Sequence, residues 1–243
     1  MEQKMNSKTS LKTASDLPER DEPIYQALMS AIVEHQLLPG SKLPEEALAG
    51  VFGVSRTGIR KVLQRLAAVQ MVILTPRRGA LVASPSVSEA RDIFTTRSLL
   101  ECANLPAVLE HCQPAHLLAL EAVIRHEQQA HDEGDGPAAI RFSAAFHIQL
   151  HAISGNQVLT EMVTRLSQRS SLAIAAWSAP WQQGCRCNDH DRLIALLRNK
   201  ALEPLSDALR QHFEHIVATL RFERAGETLP DFARLFAHKG VNQ

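Results

Sequence analysis

Cysteine and aromatic residues are scarce in this 243-residue chain. The four cysteines are too few and too unevenly spaced for a disulfide framework, which excludes a disulfide-stabilised secreted domain. No apolar run is long enough to cross a lipid bilayer. Aromatic residues make up 5% of the chain, but apolar residues as a whole make up 45%, with Leu and Ala prominent. This composition is typical of helices packed on helices, and it predicts a cytoplasmic protein with reduced thiols.

The net charge is zero, but charge is unevenly distributed along the chain. Residues 41–83 contain seven Lys or Arg and two acidic residues, a surplus of five positive charges. From residue 84 onward there are fifteen Lys or Arg and eighteen acidic residues, a deficit of three. A basic segment joined to a mildly acidic remainder predicts that only the first part of the chain contacts a polyanion.

Breaks in the hydrophobic pattern divide the chain into two domains. Residues 1–20 are polar and are expected to form a disordered arm. Residues 21–83 form the first domain. It is predicted to contain helices at 23–38 and 44–53, a third helix from residue 55, and a β-hairpin with strands at 72–75 and 80–83. A linker at 84–87 follows. The second domain, 88–226, is predicted to be all helical, with helices at 88–112, 114–133, 137–153, 157–177, 188–199 and 202–223. Residues 227–243 are expected to form a loosely held tail.

Hydroxyl and arginine side chains open the third helix of the first domain. Ser55 is a good N-cap, and Arg56 and Arg60 lie four residues apart on one face, with Thr57 beside them. The opposite stripe of aliphatic residues is suited to packing on the preceding helices. A recognition helix needs such a polar face in the major groove, where an arginine can bind guanine O6 and N7 together.

The hairpin tip adds a second basic element. Arg77 and Arg78 supply charge, and Gly79 allows the tip to approach the backbone or minor groove of a duplex. A solvated basic face on a small helical domain is the alternative for any single arginine. The ordered set favours DNA binding and predicts DNA contacts at Ser55, Arg56, Thr57, Arg60, Arg77, Arg78 and Gly79.

These motifs resemble the winged helix-turn-helix of the GntR family of bacterial regulators. That family's pattern is Leu-Pro-x-Glu, a short helix, Gly-Val-Ser-Arg-x-x-Val-Arg-x-Ala-Leu-x-x-Leu, and a wing ending in Arg-Gly. The chain matches it at 43–46, 53–66 and 78–79. Two positions depart from the pattern. Gln70 stands where the family often has Gly, and Ala47 stands where some members carry a basic residue that contacts DNA.

The helical second part is similar to the effector domain of the FadR subfamily, called FCD. The resemblance therefore implies a mainly α protein, with an N-terminal winged helix-turn-helix followed by an all-α bundle. It further implies a homodimer that binds a pseudo-palindromic double-stranded DNA operator. A small organic acid bound in the second domain would control operator binding, most simply by relieving repression, with activation as the alternative.

Three of the eleven histidines lie on apolar helical faces and should point into the bundle: His147, His190 and His212. Three imidazoles entering one core can hold a divalent ion such as zinc or nickel and leave a coordination position open. For each histidine alone, a satisfied core residue is the alternative, because sequence spacing does not show convergence.

The family resemblance supplies that convergence. FCD domains often carry Asp-x-x-x-His on one helix and single histidines on two later helices, and His147, His190 and His212 match those positions. Ser143 occupies the Asp position. Because a hydroxyl is a poorer ligand than a carboxylate, we expect either a weaker metal site with three histidines or an anion pocket without metal.

Other polar residues leave two interpretations open. The resemblance places Arg97 in the effector pocket, but a surface pair with Glu101 one turn away is the alternative. His151 and His215 lie one helical turn from His147 and His212; partly exposed surface positions are expected for both, and a role as alternative metal ligands is the other interpretation. Cys185 and Cys187 lack a second paired motif, so a loop with two thiols is the alternative to a zinc site. The predicted effector-binding residues are Arg97, Ser143, His147, His190 and His212.

The sequence thus predicts a sequence-specific DNA-binding transcription regulator rather than an enzyme. A metal-responsive DNA-binding sensor is one alternative. A metal-dependent enzyme that uses the three histidines is another, but no general acid or base motif accompanies them.

Overall fold

The computed structural model describes residues 21–76, 79–178 and 187–220. These residues form one small sheet of β1 (Lys42–Leu43), β2 (Val72–Thr75) and β3 (Gly79–Val82). They also form nine helices: α1 (Glu22–Val33), α2 (Glu45–Phe52), α3 (Arg56–Ala68), α4 (Val87–His111), α5 (Pro114–Asp132), α6 (Gly136–Ala152), α7 (Gln157–Trp177), α8 (Cys187–Arg198) and α9 (Leu202–Thr219). The predicted arm, the hairpin-tip arginines, Cys185 and the chain after residue 220 lie outside the described residues. None of the described helices is long and apolar enough to cross a membrane.

The first domain is the predicted winged helix-turn-helix. Its sheet is antiparallel in the order β1-β3-β2, and Leu81 lies opposite both Lys42 and Ile73. The helices bury one aliphatic core that includes Leu28, Leu48, Leu63 and Leu66. Strand β1 was missed by the sequence analysis because two residues are too short to show a period of two.

The turn between α2 and α3 depends on a glycine. Gly53 has φ 65°, a left-handed conformation that costs a residue without Cβ little, and Val54 N–H then donates to the Ala49 carbonyl over 3.1 Å. Ser55 follows as the N-cap of α3, accepting from the Gly58 N–H over 3.2 Å. Both observations confirm the turn and cap predicted from the sequence.

Helix α1 is shorter than predicted. It ends at Val33 rather than at residue 38, because His35 takes a left-handed φ of 59°. The Leu37 N–H reaches back to the Ala31 carbonyl over 2.8 Å, as in a helix C-terminal motif. Residues other than glycine uncommonly adopt this conformation, and no glycine stands at residues 34–36 to mark the end of the helix.

Where the structure describes it, the second domain is a bundle of six helices, α4 to α9. Helix α4 packs on α7 and α9, α6 packs on α5 and α7, and α8 packs on α5 and α9. Its core is built around large apolar side chains, among them Phe94, Phe146, Leu193, Leu209 and Phe213. Helix α4 continues through Pro106 and is capped by Ser86, which accepts from the Glu89 N–H over 3.1 Å. The predicted all-α fold is therefore confirmed.

The two domains contact each other where the end of α1 meets α7. Leu172 of α7 is fully buried within the core of the first domain. Ser171 accepts at its carbonyl from His35 Nε2 over 2.8 Å and donates from its hydroxyl to the Val33 carbonyl over 2.5 Å. Arg141 of α6 pairs with Glu34 over 3.2 Å. These contacts connect the DNA-binding domain directly to the helical bundle.

Candidate DNA-binding surface and ligand site

The start of α3 presents a polar, exposed face. Ser55, Arg56, Thr57 and Arg60 are exposed there, as predicted, while the opposite side of α3 is buried through Ile59, Val62, Leu63 and Leu66. Gly79 is also exposed at the start of β3, with φ 82°. Arg77 and Arg78 lie outside the described residues, so their predicted DNA contacts stay predictions.

Glu45, at the first turn of α2, joins this surface and was not predicted to do so. Its carboxylate accepts from Arg60 Nε over 2.9 Å and from Arg60 Nη2 over 2.7 Å. Arg56 Nη2 lies 4.0 Å from the same carboxylate. The hydrogen bonds from Arg60 lower the pKa of Glu45, which keeps the carboxylate ionised. The sequence signalled only an acidic residue at a helix N-terminus.

Three histidines converge in the core of the second domain, as the family resemblance implied. His147 from α6, His190 from α8 and His212 from α9 are each at least 98% buried. Each offers a ligand atom, and these atoms all lie within 4.8 Å of one another. Nε2 of His147 is 3.2 Å from Nε2 of His212. The structure therefore brings together residues that are up to 65 positions apart in the sequence.

Each of these histidines has a carboxylate at its other ring nitrogen. Nδ1 of His147 is 2.8 Å from Glu101, and Nδ1 of His190 is 2.7 Å from Glu127. Nδ1 of His212 is 3.4 Å from Asp189. A carboxylate at Nδ1 favours the tautomer that is protonated there, which leaves the lone pair on Nε2. The sequence analysis missed Glu127, although it lies on the apolar stripe of α5 with Leu120, Val123 and Ile124.

Glu101 connects the histidines to Arg97. One of its oxygens accepts from His147 Nδ1 and from His151 Nε2 at 2.8 and 3.0 Å, and the other accepts from Arg97 Nε at 2.8 Å. Burial alone would raise the pKa of Glu101, but Arg97 and His147 hold it well below its usual value. The predicted partial exposure of His151 is wrong, because Glu101 and Asn104 satisfy both of its ring nitrogens in the core. His215 is exposed.

Arg97 is buried rather than on the surface, at 4% exposure. The i,i+4 pair with Glu101 exists, but the surface interpretation of it is wrong. Nη1 of Arg97 donates to the Ser170 hydroxyl over 2.8 Å, and its guanidinium lies 4.7 Å from the ring centroid of Phe213. Its remaining nitrogen, Nη2, has no hydrogen-bond partner in the described part of the chain.

A cavity of about 40 Å³ connects these groups. Arg97, Glu127, Ser143, His147, Ser167 and His212 all line it. Besides Arg97 Nη2, the buried atoms Ser167 Oγ and Glu127 Oε1 are without a partner among the described residues. Three unsatisfied polar atoms on one cavity indicate a site for a polar ligand, since buried polar groups are otherwise almost always paired.

Burial also determines the charge of the imidazoles. It lowers the pKa of His147 well below the ordinary value of 6.5 and that of His212 to about 4. Both are therefore neutral near pH 7, which is the form that binds a metal ion. The arrangement can bind a cation between the Nε2 atoms and an anion beside Arg97.

Comparison with known proteins identifies both domains. Residues 20–82 match the bacterial regulatory proteins of the gntR family, and residues 92–215 match the FCD domain. The chain belongs to the GntR family. This GntR regulator therefore combines a DNA-binding winged helix-turn-helix with an FCD effector-binding domain.

Relatives are similar over most of their length. The regulator is 23% identical over 193 residues to the HTH-type transcriptional regulator YdhC of Bacillus subtilis (strain 168), covering 79% of this chain and 86% of YdhC. It is 21% identical over 202 residues to the HTH-type transcriptional repressor RspR of Escherichia coli (strain K12), covering 83% and 89%. These relatives are transcription regulators, so the predicted class, a regulator and not an enzyme, is confirmed.

Solved structures share the fold. E. coli McbR/YncC superimposes with a TM-score of 0.72 at 22% identity, covering 82% of this chain and 95% of that one. A putative GntR transcriptional regulator from Rhodococcus sp. RHA1 gives a TM-score of 0.73 at 19% identity, covering 82% and 96%. At this identity the likeness establishes the two-domain fold of the GntR regulator.

Proposed function

We propose that this GntR regulator is a homodimeric repressor of the FadR subfamily, released from its operator by a small organic acid bound in the FCD domain beside a divalent metal ion. The proposal rests on one observation: His147, His190 and His212 converge, and two of them, His147 and His212, line a cavity that also holds an unpartnered guanidinium nitrogen. RspR, a relative similar over 83% of this chain, is described as a repressor, which favours repression over activation.

The donor set fits zinc or nickel. Ligand nitrogens at about 2.0–2.1 Å from a tetrahedral zinc ion lie about 3.3 Å apart, and Nε2 of His147 and Nε2 of His212 are 3.2 Å apart. With Nδ1 of each ring beside a carboxylate, both rings favour the tautomer that directs a lone pair at the other. Two facing lone pairs repel unless a cation lies between them, so this geometry supports a metal site at His147, His190 and His212.

Because Ser143 offers a hydroxyl where the family pattern has a carboxylate, the site has a coordination position that an anion can fill. The three candidate ligands are imidazole nitrogens, and the residue at the fourth position of the family pattern is a hydroxyl rather than a carboxylate. A divalent ion held there keeps its full charge and an open coordination position. A carboxylate from the effector can fill that position, while Arg97 Nη2 and Ser167 Oγ donate hydrogen bonds to its oxygens.

The cavity limits the size of the effector. Its volume of about 40 Å³ compares with the roughly 10–15 Å³ of cavity volume that one water molecule needs. A carboxylate group fits beside an ion, but a larger acid requires side chains to move. Regulation by the effector follows if that movement changes the contacts between α7 and α1.

The way in which a recognition helix binds DNA supports the proposed dimer. One polar face on one recognition helix reads a single half-site, and two such helices related by a two-fold axis read a pseudo-palindrome. Effector and operator then compete by linkage, since each favours a different placement of the winged helices. Ser55, Arg56, Thr57, Arg60, Arg77, Arg78 and Gly79 are the proposed DNA contacts.

The small cavity favours a second candidate function, a metal-responsive sensor in which the ion itself is the signal. It has room for an ion and a few water molecules without rearrangement. The same residues then bind metal, and organic acids have no effect on operator affinity.

One experiment separates these functions. The full chain is tested by gel shift against the DNA upstream of its own gene, without additions, with zinc or nickel, and with the metal plus acetate or a larger carboxylic acid. An effector-controlled repressor loses operator affinity only when the acid is added. A metal sensor responds to the ion alone.

The variant His190→Ala, with exposed His111→Ala as its control, tests the site. His190→Ala should abolish the thermal stabilisation by metal and leave operator binding in the absence of ligands within about twofold of the unmodified protein. If zinc and nickel change neither melting temperature nor operator affinity of the unmodified protein, the metal part of the proposal is wrong.

A further inference from the structure

The carboxylate of Glu45 holds the side edge of the Arg60 guanidinium on the DNA-binding surface. Both Nε and Nη2 of Arg60 donate to it, at 2.9 and 2.7 Å. The Glu45 side chain is 22% exposed, whereas that of Arg60 is 57% exposed. The carboxylate therefore lies behind an arginine whose far end reaches solvent.

A guanidinium has two edges that can form paired hydrogen bonds. Glu45 occupies the edge formed by Nε and Nη2, and the end edge formed by Nη1 and Nη2 stays available because Nη2 carries two hydrogens. Guanine O6 and N7 require two parallel donors of this kind. Arg60 can thus bind Glu45 from the side and a guanine from the end at the same time.

The negative charge of Glu45 indicates a role in sequence selectivity rather than in overall DNA affinity. Arg56 lies 4.0 Å from Glu45, so one carboxylate faces two arginines on a surface that must meet phosphates. A negative charge there lowers sequence-independent affinity, which comes mainly from phosphate neutralisation. It also holds Arg60 against the protein and reduces its freedom to reach a phosphate instead of a base.

We infer that Glu45 is a positioning residue that sets operator specificity by holding Arg60 end-on toward a guanine. Glu45 is the first of two consecutive glutamates in the run Leu-Pro-Glu-Glu at residues 43–46, and it is the one that contacts Arg60. The competing interpretation is that Glu45 masks Arg60 and DNA must displace it.

The test compares the full-length protein with Glu45→Gln, Glu45→Asp, Arg60→Ala and Glu45→Gln/Arg60→Ala. Glu46→Gln is the matched control, because it removes an exposed acid from the same helical turn that has no ion pair among the described residues. A duplex site is first selected from a random DNA pool with the unmodified protein. Affinities are then measured for that site and for versions in which each guanine is replaced.

In the unmodified protein we expect a preference of at least about fivefold for one guanine in each half-site, and Arg60→Ala should remove this preference. Glu45→Gln should reduce that preference to about twofold or less, Glu45→Asp should retain part of it, and the double variant should match Arg60→Ala. Glu45→Gln and Glu46→Gln should raise affinity for unrelated DNA by similar factors.

Two results would overturn the inference. If Glu45→Gln raises affinity for every sequence but keeps the full guanine preference, Glu45 only masks Arg60. If Arg60→Ala leaves all base preferences unchanged, Arg60 reads no base and Glu45 has nothing to position. Melting temperatures within about 2 °C of the unmodified protein exclude misfolding of these variants.

Discussion

Ser170 and Ser171 are consecutive on α7, but their hydroxyls bind partners in different domains. Ser170 Oγ accepts from Arg97 Nη1 over 2.8 Å at the ligand cavity. Ser171 Oγ donates to the Val33 carbonyl over 2.5 Å at the end of α1. If the proposed anion displaces Arg97, we therefore expect the displacement to be transmitted to the DNA-binding domain through these two adjacent serines of α7.

Ser171→Ala should uncouple the two sites without destroying either. Metal affinity should stay within about twofold, while the change in operator affinity caused by metal and carboxylic acid should shrink by at least about threefold. Gel shifts with and without ligands measure this ratio. Thr164→Ala on the same helix is the control, because within the described part of the chain its hydroxyl donates to the Thr160 carbonyl of α7 itself and not to the first domain. An unchanged ratio in Ser171→Ala would show that coupling takes another route.

Glu101→Gln should weaken metal binding by about 10- to 100-fold, because the carboxylate that orients Nδ1 of His147 is lost. The amide keeps the shape of the side chain but not its charge. Titration calorimetry with zinc measures the effect on the full chain. Glu110→Gln serves as the control, since Glu110 is exposed on the same helix. Equal zinc affinities in the two variants would contradict the role assigned to Glu101.

His35 should make the protein less stable in acid. Burial lowers its pKa from 6.5 to about 4, opposed by the hydrogen bond to Ser171. As pH falls from 6.5 toward 4, the unfolded chain takes up a proton at His35 that the folded chain does not, so the free energy of unfolding decreases. The contribution is complete above pH 6.5 and lost below about pH 4.

Denaturant unfolding of the unmodified protein and of His35→Asn, at several pH values in this window, checks the prediction. Asparagine tolerates the left-handed backbone at this position. The stability difference between the two proteins should fall by up to about 1.4 kcal/mol per pH unit as pH decreases. Parallel pH curves would mean that His35 titrates normally in the folded state.

Gln70→Gly should stabilise the first domain by about 0.5–1 kcal/mol. Gln70 follows α3 with φ 61°, a left-handed conformation that glycine adopts without strain, which explains the glycine common in the family at this position. Gln64→Gly, in the exposed middle of α3, should instead destabilise by about 1 kcal/mol. Thermal unfolding of both variants measures the sign. Destabilisation by both would show that the Gln70 side chain contributes more than its backbone costs.

Most of the fold could be predicted from local sequence patterns. The stripes of α3 and of the bundle helices, the cap at Ser55 and the turn at Gly53 depend on neighbours within a few residues, so they could be predicted. The end of α1 could not, because His35 adopts its unusual backbone where it also contacts Ser171, 136 positions away.

The candidate site divides in the same way. The sequence by itself determined that His147, His190 and His212 face inward, because each lies on an apolar stripe of its own helix. Only the tertiary structure decided which carboxylates hydrogen-bond to these histidines and that Glu45 hydrogen-bonds to Arg60, because these pairs form between different helices. Helical periodicity is a property of one segment, whereas a hydrogen bond between helices depends on how whole segments pack.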